Sequence, residues 1–111
     1  MLPPRVPHAD AAYNAGRAAL LVVALNERPD LLLPATDDRL HQGYRGEVMQ
    51  PSLGLMSALR AAGVPAVISG AGPSVLALDG LSEQVAETHA PDGWDVLRLG
   101  IDRDGASVVR L

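Results

Sequence analysis

Two short stretches hold most of the side chains that could do chemistry. The first, DDRLHQGYRG over residues 37–46, packs Asp37, Asp38, Arg39, His41, Tyr44 and Arg45 into ten positions. A guanidinium is a planar fork of donors that matches a carboxylate or a phosphate. If a helix runs through this stretch, His41 and Arg45 lie one turn apart and can serve one pocket. The same spacing puts Asp38, Arg39 and Gln42 on a solvated face. It sends Asp37 and Asp38 in different directions, which makes them a poor metal or acid–base pair. On residue types alone, a surface ion-pair cluster capped by Arg45 is slightly favoured over a pocket.

The second stretch is ISGAGPSVLAL, Ile68 to Leu78. Closely spaced glycines let a backbone approach a ligand, and successive N–H groups in such a loop can form an anion-binding nest. A Walker loop would need a Gly-Lys-Ser/Thr ending, and a dinucleotide fingerprint would need a helix to follow. Here the glycines lead into an apolar run, so spacing favours a hairpin turn in which Gly supplies positive φ. The histidines His8, His41 and His89 show no metal-binding spacing. No nucleophile–base pair is legible, so the residues predict no catalytic side chain and no metal ligand.

These residues need elements to hold them. Asp10 can cap a helix over AAYNAGRAALLVVALNE, apolar nearly all round and so expected to be largely buried. Pro29 and Asp30 open an interrupted helical region to about Gln42, disturbed by Pro34 and ended by Gly43, with YRGEVMQP as a loop. PSLGLMSALRAAG is an amphipathic helix with Ser52 as its cap, Leu53, Met56, Leu59 and Ala62 as its apolar stripe, and Gly63 at its end. PAVISG and SVLALDG are strands joined by the four-residue Gly-Ala-Gly-Pro loop. LSEQVAETHA is a short helix, and WDVLRLGID and ASVVRL are two further strands around an Arg103-Asp104-Gly105 turn. The order predicts an α+β fold, helices packed on one face of a mostly antiparallel four-stranded sheet.

Composition narrows the classes. A length of 111 residues suits one domain, and 48% hydrophobic residues with a net charge of −4 argue against disorder and against nucleic-acid binding. All nine basic residues are arginine and cysteine is absent, which removes disulfides and thiolate metal sites. MLPPRVPHAD lacks the apolar core of a secretory signal and reads as a connector entering a helix. The longest apolar run, Ala18 to Leu25, is far short of the ~20 residues that span a membrane. A cytoplasmic protein without membrane association is expected.

VPHADAAYNAGRAALLVVAL, RPDLLLPATDDRLHQGYR and VPAVISGAGPSVLAL together closely resemble the C-terminal half of bacterial homoserine kinase. That family lies within the superfamily of galactokinase, homoserine, mevalonate and phosphomevalonate kinases. The resemblance runs from about Leu2 to Leu78 and continues more weakly to Leu111. The loop Ser69, Gly70, Ala71, Gly72, Pro73 and Ser74 is similar to the third sequence motif of the superfamily. The D-R-L-H-Q-x-Y-R segment is characteristic of homoserine kinase itself.

The resemblance implies transfer of the ATP γ-phosphoryl to the hydroxyl of L-homoserine, the step before threonine synthase, in an enzyme that uses ATP and Mg²⁺. It implies a ferredoxin-like C-terminal lobe over residues 1–111. Arg45 would grip the substrate carboxylate and the backbone at Gly70 would lie against the substrate; His41 is added to this expected substrate site by its one-turn spacing from Arg45, not by the resemblance. The family's phosphate loop, a Pro-x-x-x-Gly-Leu-Gly-Ser-Ser-Ala motif, does not occur here, nor does the Asn/Asp pair of its first motif. An arginine that the family carries just upstream of the position of Leu2-Pro3 falls off this chain. Pro34 stands where a helix former is commoner, and Gly43 where a proline is frequent. The chain is therefore expected to lack an N-terminal ATP-binding lobe, to bind no ATP or Mg²⁺ alone, and to be inactive alone. It is also expected to expose apolar area and so to be aggregation-prone or a homodimer. The other reading is a stand-alone ferredoxin-like module that binds a small ligand without catalysis.

Overall fold

The computed structural model describes residues 2–110. Helix α1 runs His8–Asn26, a 3₁₀ turn covers Pro29–Leu31, and the single-turn helix α2 covers Leu32–Ala35. Helix α3 is Gln42–Gly46 and α4 is Gln50–Ala61. Strands β1, Ala66–Ile68, and β2, Val75–Ala77, form an antiparallel pair, and α5 is Glu83–His89. The fold is α+β.

Apolar packing gathers at two places. Met56 and Leu59 of α4 bury themselves against Val64, Ala66 and Ile68, with Leu53, Val75, Leu81 and Val85 closing the edges. Ala24 of α1 meets Leu32 and Ala35, with Leu20, Leu21, Leu31 and Leu78 around them. Arg60 bridges the two clusters. Its guanidinium donates to the Leu33 carbonyl at 2.8 Å, the Thr36 hydroxyl at 2.8 Å and the Ala66 carbonyl at 3.2 Å. Acceptors in α2, at the residue just after it and in β1 satisfy the cation where no carboxylate does.

The hairpin has the expected form. Ala66, Val67 and Ile68 pair with Ala77, Leu76 and Val75. The Ser69 N–H donates to the Ser74 carbonyl at 2.8 Å and the Gly72 N–H to the Ser69 carbonyl at 2.9 Å. Gly70 and Gly72 adopt φ of +57° and +80°, and the Gly72–Pro73 bond is cis. The end of α4 at Gly63, with φ of +84°, also follows expectation.

Elsewhere the structure corrects the sequence reading. Helix α1 begins at His8, so Asp10 lies in its first turn rather than at its cap. An acid is favourable there too, beside the unpaired N–H groups. Far from being largely buried, α1 has only Ala24 in the core, while Val22, Val23 and Leu25 are exposed. The helical region opened at Pro29 stops at Ala35. Pro34 is tolerated because it is the third residue of α2, where a backbone N–H has no partner within the helix. A helix, α3, then forms over Gln42–Gly46, where Gly43 was expected to end one.

Ser52 does not cap α4. Met49 occupies the cap position with Pro51 in the first turn, and Ser52 is buried with its hydroxyl donating to the Pro73 carbonyl. The expected strands in WDVLRLGID and ASVVRL are not formed among the described residues, where the sheet has two strands. Val96, Leu97, Leu99, Ile101, Val108 and Val109 are all exposed. A strand exists only when another backbone takes its N–H and C=O groups, and no such edge has been engaged here.

Candidate functional site

The centre of the DDRLHQGYRG segment is Asp38. One carboxylate oxygen, Oδ1, accepts the Asn14 amide at 2.7 Å, the His41 ring Nδ1 at 2.9 Å and the Leu40 N–H at 3.3 Å. The other, Oδ2, accepts the N–H groups of His41 at 2.8 Å and Gln42 at 2.6 Å. The side chain is only 13% exposed. Partial burial pushes its pKa upward, but the Gln42 N–H, the His41 ring, the Asn14 amide and the His41 N–H more than offset this. The carboxyl is held well below the usual carboxylate range. A carboxylate that accepts the first N–H groups of a helix also acts as its cap, and here it starts α3.

Helix α3 then positions two further side chains. Gln42 Oε1 accepts the Ile68 N–H at 2.7 Å, which ties α3 to the end of β1. One turn later, Arg45 Nη1 donates to the Gly70 carbonyl at 2.8 Å, which ties it to the glycine loop. No ion pair involves Arg45 among the described residues. Its remaining N–H groups stay available to a ligand.

Arg45, His41 and Gly70 line one cavity of about 440 Å³, together with Arg17, Asp38 and Gln42 among others. That volume falls in the range of small-molecule sites. The three residues expected to bind substrate are thus brought together. The rest of the loop is divided. Ser69, Pro73 and Ser74 face a second cavity of about 740 Å³, with Trp94 and Leu97. Gly72 packs on Met49, and Ala71 is exposed.

Other members of the segment also contact α1. The Tyr13 hydroxyl donates to Asp37 at 2.6 Å. The Arg39 guanidinium lies 3.7 Å and that of Arg17 4.5 Å from the centre of the Tyr13 ring, which places both as cation–π partners. Asp37 and Asp38 take different partners on α1, Tyr13 and Asn14, although both line the same cavity. Asp38 and Gln42 are not on a solvated face, however, because the chain leaves helical geometry between Ala35 and Gln42. Asp38 as an organising group was missed by sequence reasoning. The available signal was an acid standing a few residues ahead of a helix start, but its partner Asn14 is 24 positions away.

The histidines do not converge. The His89 ring bonds the Val85 carbonyl through Nδ1 at 2.8 Å. No group of three His, Cys, Asp or Glu side chains suited to a metal ion occurs among the described residues. Among those residues no helix is long and apolar enough to cross a membrane.

The depressed carboxyl of Asp38 gives a pH prediction. Its unfolded value is ~3.9 and its folded value lower, so its contribution is fully present above about pH 4 and is lost as pH falls through the folded value. Thermal melts of the chain should show stability falling below about pH 4. In Asp38→Asn that fall should be shallower and neutral-pH stability lower by about 2 kcal/mol, from donors left with fewer acceptors. Identical acid profiles for the two proteins would remove Asp38 from this role.

No family model matches the chain. It is 60% identical to homoserine kinase of Streptomyces avermitilis over 112 aligned residues, which cover all of this chain and 37% of that enzyme. Identity to homoserine kinase of Streptomyces coelicolor is 57%, over all of this chain and 36% of that enzyme. For the homoserine kinase of Mycolicibacterium vanbaalenii it is 52%, over 91% of this chain and 33% of that enzyme. The chain spans little more than a third of the length of these curated relatives. Along its whole length, then, the chain is a relative of a part of homoserine kinase.

Proposed function

We propose that the chain is the C-terminal, substrate-side portion of a homoserine kinase. It shapes the site in which L-homoserine is phosphorylated by ATP on the way to threonine. What carries the reading is the meeting of His41, Arg45 and Gly70 at one cavity, in a chain 60% identical to such an enzyme. Arg45 pairs with the substrate carboxylate through its free N–H groups. The Gly70 loop brings backbone against the substrate without a side chain in the way. Phosphoryl transfer is mostly positioning and charge stabilisation, and this portion supplies the positioning.

ATP would supply the phosphoryl group, and Mg²⁺ would neutralise its developing charge. The donor set among the described residues does not fit a metal, so no role here runs through one. An N-terminal portion is the partner on this reading, and the cytoplasm is where it works. The exposed apolar residues between Val96 and Val109, unpaired among the described residues, support a segment that gains a backbone partner in the assembled enzyme. In the assembled enzyme its two strands would extend β1–β2 into a four-stranded ferredoxin-like sheet.

The test is ADP release with homoserine, using this chain with and without a co-expressed N-terminal portion of the Streptomyces avermitilis enzyme. Turnover is expected only when both are present. A complex that co-purifies yet shows no homoserine-dependent ADP release would defeat the reading. Tight homoserine binding by this chain alone, without turnover in the pair, would favour a ligand-binding module instead.

A further inference from the structure

Asp38 and His41 form a dyad at the cavity wall whose geometry has a direct consequence for recognition. The Asp38 carboxylate accepts at Nδ1 of the His41 ring, 2.9 Å away. A carboxylate can only accept, so the proton of the neutral ring must sit on Nδ1. Nε2 then carries the lone pair. Among the described residues no hydrogen bond involves Nε2, and His41 lines the cavity about half exposed. His41 is the residue just before α3, and one turn onward, within α3, is Arg45, which lines the same cavity as a cation beside Arg17.

We propose that Asp38 is a positioning residue that sets the His41 tautomer, so that Nε2 accepts a hydrogen bond from the α-ammonium group of an amino-acid substrate whose carboxylate is held by Arg45. The charges agree with this arrangement. A guanidinium stands at the carboxylate end, and a carboxylate behind an imidazole stands at the ammonium end. Carboxylate and ammonium are neighbours on every α-amino acid, and His41 and Arg45 are neighbours on the wall. The same Asp38 also holds the N–H groups that open α3, so it orients both residues at once. The assignment of the substrate end rests on the kinase reading above. The assignment of the tautomer does not.

Two measurements test it. Imidazole ¹⁵N–¹H correlation spectra of the 111-residue chain, at a pH ~2 units above the ordinary imidazole value, should show His41 protonated on Nδ1. In Asp38→Asn the amide can donate to Nδ1, so the tautomer should invert to Nε2–H while His8 and His89 keep their patterns. A wild-type His41 protonated on Nε2 overturns the proposal even if the variant does not fold.

The second measurement uses the enzyme assembled with an N-terminal portion. His41→Phe should raise KM for homoserine about tenfold, the worth of one charge-assisted hydrogen bond, with a smaller fall in kcat. The inhibition constant of 4-hydroxybutyrate, which lacks the ammonium, should stay the same. Equal penalties on both compounds, or an unchanged KM, overturn the proposal. An assembled wild-type enzyme that turns over no homoserine defeats the kinase reading instead and leaves the tautomer result standing.

Discussion

Replacing Arg45 by alanine in the assembled enzyme should raise KM for homoserine on the order of a hundredfold. Truncating one partner of a hydrogen-bonded charge pair that has left water costs about 2–5 kcal/mol, because the other charge is left without its counter-ion. Each 1.4 kcal/mol is a factor of ten. Arg45→Lys should fall between the two, since an ammonium keeps the charge and loses the planar fork. Arg45 also donates to the Gly70 carbonyl, so part of any loss could come from a displaced loop. The KM for ATP separates the two causes: loss of a carboxylate partner leaves it nearly constant, whereas a moved loop disturbs it. An Arg45→Ala enzyme with unchanged homoserine KM and intact fold would end the assignment of this cavity to homoserine.

The largest effect on stability should come from Gly72→Ala, a loss of about 3 kcal/mol in urea unfolding of the chain. Two costs add. At φ of +80° an L side chain meets its own backbone, at about 1–2 kcal/mol. The new Cβ would also overlap Met49 Sδ and press on Ile68 Cγ2 at 3.3 Å, and Ile68 belongs to the core. Gly70→Ala is the control. Its φ of +57° is also positive, but a Cβ there meets open space, so only the backbone cost remains. Domain stabilities run to about 5–15 kcal/mol, so the Gly72 variant would lose a large share. Equal losses for the two variants would show that Met49 swings away at no cost and that backbone strain alone is at work.

The hairpin was legible from PAVISGAGPSVLAL because all of its determinants are local. Apolar β-branched runs flank a loop whose glycines can take positive φ, and they do so at Gly70 and Gly72. Helix α5 was legible for the same reason, with the Ser82 hydroxyl accepting the Val85 N–H at its start. Ser52 misled because a serine ahead of an apolar run resembles a cap, whereas its hydroxyl reaches the Pro73 carbonyl, 21 positions away. The segment from Trp94 onward misled in a different way. Its residues suit a strand, but a strand is a property of two backbones.

The sequence by itself determined the chemical inventory: Arg45 as a fork for an anion, His41 one turn before it, and a glycine loop able to come close to a ligand. It also determined the α+β class and, through whole-length similarity, the relationship to part of homoserine kinase. Only the tertiary structure decided that these residues share a cavity, because Arg45 and Gly70 are 25 positions apart and meet through one hydrogen bond. It alone made Asp38 the organiser, because the value of a carboxylate lies in the donors that folding brings around it. Types and periods of residues are local quantities, readable along the chain. Convergence, burial and strand partnership depend on distant backbone, and no local spacing encodes them.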